Sequence, residues 1–324
     1  MRVLVTGVAG FIGATVAKAL LERGDQVIGI DNLNDYYDPT LKHARLTELS
    51  GPAFTFHPYD FALDLPFANE SFDRIIHLGA QAGVRYSLEN PMAYVKSNLV
   101  GHVNLLELAR ARAVPMVYAS SSSVYGGNTK LPFSVEDRAD HPVSLYAATK
   151  RADELMSETY AHLYRIPLTG LRFFTVYGPW GRPDMAPWLF TKAILAGDPI
   201  KVFSHGKMSR DFTYIDDIVA GVLACNDRAP ADDGGYKPGG SVAPHSVYNI
   251  GNNKPEALMQ FIALIEAATG KKAICDFQPI QAGDVPATCA DIDAIAHDHG
   301  YAPTTSLEVG IPKFVDWFRS YHGV

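Results

Sequence analysis

The sequence predicts an α/β fold, a doubly wound parallel sheet followed by a smaller C-terminal α/β lobe. Three observations carry that expectation. The chain opens on an apolar run with two β-branched valines, Arg2 to Val5, which breaks at Thr6-Gly7 and restarts with helical period from Phe11. Apolar runs of strand length then alternate with helical stretches as far as Phe174. Beyond it glycine and proline crowd together, as they do where a chain leaves a sheet for a second lobe.

Gly7, Gly10 and Gly13 lie three apart across the first break, one residue wider at the start than the usual dinucleotide fingerprint. Gly7 can take positive φ in the turn, Gly10 lets a pyrophosphate meet backbone, and Gly13 lets helix and strand approach. The helix N-terminus offers unpaired N–H groups to phosphate. Phe11, Ile12, Val16, Ala19 and Leu20 keep helical period, Gly24 stops it, and Val27 to Ile30 reads as a second strand ending in Asp31. A carboxylate there accepts hydrogen bonds from the adenosine ribose and repels a 2′-phosphate, so the reading is a Rossmann-like site for NAD rather than NADP. The expected division is an NAD-binding domain over residues 1–175, rejoined by segments near 211–225 and 246–253, with 176–324 mainly a substrate lobe.

The elements follow in order. Asn32 to Pro39 reads as a loop, Leu41 to Leu49 as a helix and Phe54 to His57 as a strand. Asp60, just past that strand, either bonds the adenine amino group or caps a turn, with Phe61 beside it. Arg74 to Leu78 is a fourth strand, in which His77 is a packed core histidine; Ala80, Gln81 and Ala82 follow, small enough to let backbone pass close to a cofactor. A long helix is expected over Met92 to Ala113. Met116 to Ala119 is a fifth strand that runs into Ser120, Ser121, Ser122 and Ser123, hydroxyls at the strand end where open α/β sheets bind ligands. A helix from Ser144 to Tyr164 carries Tyr146 and Lys150 on one face, one turn apart. Leu168 to Phe174 is the sixth strand. Further on come a helix over Asp184 to Leu195, a short strand Lys201 to Phe203, a helix near Ile218 to Cys225 capped by an Asp of Ile215-Asp216-Asp217, and a long loop from Asn226 to His245. A strand Ser246 to Ile250 and helices near Ala257 to Thr269 and Leu307 to Tyr321 complete the chain, with Gln281-Ala282-Gly283-Asp284-Val285-Pro286 between the last two.

Composition narrows the class of function. With 324 residues, 47% hydrophobic and 19% charged, the chain can bury a large core in two closely joined domains. A net charge of −7 argues against broad binding to nucleic acid or acidic membrane, and no apolar run reaches the length of a bilayer span. The N-terminus opens directly into a strand, and Cys225, Cys275 and Cys289 have neither metal-like nor CxxC spacing. The expectation is a cytoplasmic protein with reduced cysteines and no metal, nucleic-acid or membrane partner.

Taken together, the glycine fingerprint, Asp31, the serine run ending in Val124-Tyr125-Gly126, the Tyr146/Lys150 pair and Arg210-Asp211-Phe212 resemble the extended short-chain dehydrogenase/reductases that act on nucleotide sugars. Asp35-Tyr36-Tyr37-Asp38-Pro39, the run from Phe173 to Met185 and Arg210 to Tyr214 are similar to UDP-glucuronate 4-epimerases. The resemblance implies a cofactor site formed by Gly7, Gly10, Phe11, Ile12, Gly13, Asp31, Asn32, Asp60, Phe61, Leu78, Ala80, Gln81, Ala82, Tyr146 and Lys150. It makes Tyr146 the base and acid, Lys150 the residue that holds the nicotinamide ribose and favours the phenolate, and Ser121 the catalytic hydroxyl. Ser122, Ser123 and Thr175 would line the sugar, Val202 and Phe203 border the uracil, Arg210 bind the pyrophosphate and Asp284 contact the nucleotide. Gln281 stands where many relatives carry arginine; Arg182 is a candidate replacement, or a partner of the sugar carboxylate, or a plain surface salt bridge.

The implied reaction takes the 4-hydroxyl proton to Tyr146 and the carbon-4 hydride to NAD, then returns both after the 4-ketosugar has turned over. Related decarboxylases and dehydratases carry an acid where Ser122-Ser123 stands, and glucose/galactose epimerases carry Asn at Thr175. The readings kept are UDP-glucuronate 4-epimerisation, epimerisation of UDP-glucose or UDP-N-acetylglucosamine, and an NAD-sensing protein without catalysis. The helices over Met92–Ala113 and Ser144–Tyr164 are expected to pair two copies as a four-helix bundle.

Overall fold

The computed structural model describes residues 1–63, 65, 70–281 and 284–324; Ala282 and Gly283 of the Gln281–Pro286 stretch lie outside the described residues. The first half of the sheet is β1 (Arg2–Thr6), α1 (Phe11–Glu22), β2 (Gln26–Asp31), α2 (Thr40–Glu48) and β3 (Phe54–Pro58). Next come β4 (Arg74–His77), the short turns α3 (Tyr86–Glu89) and α4 (Pro91–Tyr94), a π-helical turn over Val95–Val100, α5 (Gly101–Arg112), β5 (Met116–Ser121), α6 (Leu145–Tyr164) and β6 (Leu168–Phe173). The remainder is β7 (Thr175–Tyr177), α7 (Ala186–Ala196), β8 (Pro199–Val202), β9 (Ser209–Tyr214), α8 (Ile215–Asp227), β10 (His245–Ile250), β11 (Pro255–Ala257), α9 (Leu258–Thr269), β12 (Ile274–Phe277), α10 (Asp293–His299) and α11 (Leu307–His322).

Seven strands form one parallel sheet in the order β10-β6-β5-β4-β1-β2-β3. Its strands are apolar along their length because both faces are covered. Val16 and Leu20 of α1 share a core with Ile218 and Val222 of α8 on one side, and Leu105 and Leu106 of α5 share another with Ala161 of α6. The chain leaves β3 and crosses to β4 on the far side of β1, so the order reverses between β1 and β4, where such sheets open a crevice. Residues 215–227 and 245–250 thus lie with the N-terminal sheet, while β11-β9-β7 and β12-β8 build small sheets in the lobe. Among the described residues no helix is long and apolar enough to cross a membrane.

Several local expectations are corrected. No Asp caps α8: β9 runs straight into it, Tyr214 is the N-cap without a side-chain bond, and Asp217 instead accepts the backbone N–H of Thr304 and Thr305. The long helix before β5 is not uniform, since Val95–Val100 adds a π turn. Phe203 belongs to a tight turn, β8 ending at Val202, and α7 starts at Ala186 rather than Asp184. His77 is a core residue, its Nδ1 2.7 Å from Thr6 Oγ1, and burial lowers its pKa to about 3.

Candidate active site

The crevice between β1 and β4 opens into a cleft of about 450 Å³ that reaches from the glycine turn to α6 and on to the lobe. At one end the glycines are required by contact as well as by conformation. Gly7 has φ +69°, and a Cβ there would lie 2.7 Å from the Gly79 backbone; at Gly13 it would lie 2.1 Å from the Gly7 carbonyl oxygen. Gly10, the N-cap of α1, has no side chain over the first turn, so its N–H groups face the cleft uncapped. Asp31 closes this end: its Oδ2 accepts the Ala9 N–H at 3.1 Å and its Oδ1 the Leu33 N–H at 2.9 Å. Bare backbone at a helix start beside a carboxylate at the end of β2 fits the pyrophosphate and ribose of NAD.

In the middle, Tyr146 and Lys150 project from α6, whose N-cap Ser144 accepts the Ala147 N–H. Tyr146 lies edge-on to Tyr94, ring centroids 6.1 Å apart, and Tyr94 is tied to the carbonyls of Ala82 and Gly83. Lys150 is buried and donates to the Ala119 carbonyl at 2.9 Å and to Asp153 at 3.1 Å. The end of β5 divides its serines. Ser120 turns back to donate to Glu154 at 2.6 Å, whereas Ser121 caps the turn over Ser122–Tyr125 on the cleft side. Behind them Glu154 accepts both Nε and Nη2 of Arg172, at 2.8 and 2.9 Å, and Arg151 at 2.7 Å.

Of the residues read from the sequence, the cleft is lined by Gly7, Gly10, Phe11, Ile12, Gly13, Asp31, Asn32, Phe61, Leu78, Ala80, Gln81 and Ala82, and by Ser121, Ser122, Ser123, Tyr146, Lys150, Thr175, Arg182 and Asp284. Asp60, Val202, Phe203 and Arg210 do not line it. Asp60 serves the turn, accepting the Ala62 N–H and pairing with Lys96 at 2.7 Å. Val202 is buried in the lobe core. Phe203 lies beneath the Arg85 guanidinium, 5.1 Å from its ring centroid. Arg210 spends one nitrogen on the Ser209 and Pro286 carbonyls; burial lowers its pKa, and the nearby Asp284 charge offsets part of that.

Sequence reasoning missed Tyr36, Tyr37 and Lys42, which also line the cleft. The first two sit in a stretch read as a loop and quoted for its resemblance, without a site role, and the pull that brings them in is tertiary. Tyr36 donates to Asp184 at 3.1 Å, and burial, with Asp184 adding, pushes its phenol up to about 12. Asp184 also holds Arg182 in a two-nitrogen pair at 3.0 and 2.5 Å; burial works against the Arg182 charge and this carboxylate keeps it. Arg182 is therefore both a salt bridge and a cleft-facing cation. Arg85 lies 3.8 Å from Asp284, an exposed cation near the place that Gln281 leaves without one.

The chain matches the model of the NAD dependent epimerase/dehydratase family over residues 3–251. It is 49% identical over 332 residues to UDP-glucuronate 4-epimerase 4 of Arabidopsis thaliana, covering 99% of this chain and 76% of that protein. Its fold is similar to the crystal structure of UDP-glucuronic acid 4-epimerase from Bacillus cereus in complex with UDP-glucuronic acid and NAD, with a TM-score of 0.90, 33% identity, and 99% and 100% of the two chains covered. It is also similar to UDP-glucose 4-epimerase with UDP-glucose from Thermotoga maritima, with a TM-score of 0.87, 29% identity, and 99% and 100% covered.

Proposed function

Since this chain belongs to the NAD dependent epimerase/dehydratase family, we propose that it interconverts UDP-glucuronate and UDP-galacturonate by 4-epimerisation with NAD as a resident cofactor. One observation carries the reading. A single cleft joins the bare glycine turn and Asp31, the Tyr146/Lys150 pair, and a sugar end of hydroxyls with one guanidinium.

When bound, NAD supplies the acceptor and later the donor of the hydride at carbon 4 of the sugar. The chain's own residues do the rest. Tyr146 takes the proton of the 4-hydroxyl as the C4–H bond breaks, then gives it back to the 4-keto oxygen when hydrogen returns to the opposite face. Lys150, fixed by Ala119 and Asp153, has one ammonium hydrogen left for the cofactor ribose, and its charge favours the phenolate. Ser121 bonds the reacting oxygen.

Glucuronate sets a further requirement, because its 4-keto form is a β-keto acid that loses carbon dioxide readily. Ser122, Ser123 and Thr175 meet it by gripping the carboxylate with neutral donors, with the breaking bond out of line with the ketone, and Arg182 adds its charge. Among the described residues the acids that line the cleft are Asp31 and Asp284, and neither stands on the serine turn. Dehydration needs an acid there, so the lining favours epimerisation. Arg210, Phe203 and Asp284 would take the nucleotide end, with Arg85 above Phe203.

The test is incubation of the purified protein with UDP-glucuronate, followed by NMR of the sugar. UDP-galacturonate approaching equilibrium is expected. A UDP-pentose, or turnover of UDP-glucose alone, overturns the assignment.

We also propose a cytoplasmic homodimer. Met92, Val100, Leu155 and Leu163 are exposed apolar residues on the segments expected to pair, and all three cysteines are free. Activity in the soluble fraction of a lysate, eluting at twice the chain mass, is expected; an active species of single chain mass overturns the dimer.

A further inference from the structure

Asp153 stands three residues beyond Lys150 on α6 and enters the chemistry above only as one of the two groups that fix the Lys150 ammonium. Its Oδ2 lies 3.1 Å from the Lys150 ammonium, and the two side chains are 1% and 3% exposed. Its Oδ1 is buried with no hydrogen-bond partner among the described residues. We propose that Asp153 is a positioning residue that clamps the Lys150 ammonium against the Ala119 carbonyl and, by its own ionisation, sets how strongly that ammonium acts on Tyr146. The proposal rests on the reading of Tyr146 and Lys150 as the working pair.

The argument begins with the half-satisfied carboxylate. A charged Asp153 leaves one oxygen dry, which an ionised group tolerates poorly. Burial accordingly pushes its carboxyl up to about 7, against the pull of Lys150. Four of the titratable groups around it are held in one state. His77 of β4 and His102 of α5 are held neutral by burial, with Lys150 adding to the effect. Burial and Glu154 push the Tyr118 phenol of β5 upward. Glu154 itself, despite burial, is kept ionised by Arg172 of β6. His245 of β10, bonded to the Tyr118 hydroxyl at 2.9 Å and paired with Glu158, ends the row. Asp153 is thus the carboxyl of this buried group that burial places near neutrality.

The direction follows. Below that range Asp153 is neutral and the Lys150 charge reaches Tyr146 undiminished. Above it the carboxylate offsets that charge and the phenol ionises less readily. Asp153 and Tyr146 are seven residues apart, about 10 Å along a helix, where one charge moves an ionisation by about one pH unit.

Asp153→Asn keeps the shape and an oxygen for Lys150 but removes the titration. In the holoenzyme its tyrosinate absorbance, read as the difference from the Tyr146→Phe protein, is expected to have a midpoint about one pH unit below wild type. The acid limb of kcat should move with it while KM stays put. A uniform fall in kcat with the midpoint unmoved, the mark of a merely structural side chain, overturns the proposal. Asp153→Ala removes the clamp as well, so it should shift the midpoint the same way and lower kcat at every pH; an unmoved midpoint there overturns the proposal even where Asp153→Asn does not fold. Absence of UDP-glucuronate turnover in the wild type refutes the functional reading instead, and the absorbance titration still tests the clamp.

Discussion

Tyr146→Phe is expected to lower kcat on UDP-glucuronate by about 10²–10⁴-fold, the range of a positioned acid–base group, while fold and cofactor affinity stay near wild type. The substitution removes one hydroxyl from a half-buried ring. The edge-on contact with Tyr94 is made by ring carbons and survives. Lys150 keeps both of its partners, Ala119 and Asp153, because neither depends on the phenol. The glycine turn and Asp31 lie at the other end of the cleft and are untouched. The loss should therefore fall on kcat, with little change in KM, since the phenol acts as the proton moves rather than in holding the nucleotide. Product formation by NMR, NAD affinity by fluorescence and the melting temperature check the three parts separately. A kcat within tenfold of wild type would sink the assignment of Tyr146, and a collapse of NAD binding would make the residue structural.

How far this site was legible in the chain depends on the range of the interactions involved. The glycine turn, Asp31 and the Tyr146/Lys150 spacing are local patterns, each contained in one strand–helix step or one helical turn, and each lies where the pattern puts it. The serine run shows the limit. Four hydroxyls in a row look alike, and all four residues line the cleft, but β5 extends through Ser121, and alternation along a strand sends the Ser120 hydroxyl to Glu154 while that of Ser121 caps the next turn. Arg45 was invisible for another reason. It is almost fully buried on α2, yet it donates to the carbonyls of Trp180 and Gly181 from the lobe and of Ala9 from the glycine turn. No local signal marks a cation whose partners are 36 and 135 residues away. The strands β7, β11 and β12 were missed likewise, being three or four residues long and defined by distant neighbours. The misplacement of Val202 at the nucleotide end has the same origin. Val202 and Phe203 were placed by motif, but which side of β8 faces the cleft is decided by lobe packing, and Val202 faces the core.

Glu154→Gln is expected to destabilise the protein by about 3–5 kcal/mol, the cost of breaking a buried ion pair from one side. Glu154 is one turn from Lys150 and joins three elements behind the active site. It accepts Ser120 of β5, Arg172 of β6 and Arg151 of its own helix. Arg172, 2% exposed, then lies 4.8 Å from the Tyr125 ring centroid, and Tyr125 donates to Asn249 of β10 at 2.6 Å. The Arg172 Nη1 has no hydrogen-bond partner, and the face of Tyr125 is the compensation available to it. A glutamine fits the space but brings an NH₂ where every neighbour is a donor, and it leaves the Arg172 charge unpaired in the core. Burial alone would favour neutral Glu154; Arg172 outweighs it and holds the carboxyl below its ordinary range. Its contribution is therefore full at neutral pH and is lost only as pH falls through that depressed value. Urea unfolding at neutral pH and equal NAD concentration gives the measurement, since bound cofactor stabilises both proteins alike. The paired replacement Glu154→Met with Arg172→Met removes both charges and should recover most of the loss. A single variant within about 1 kcal/mol of wild type, or a double variant no better than the single, would show that α6 is held to the sheet by its apolar face alone.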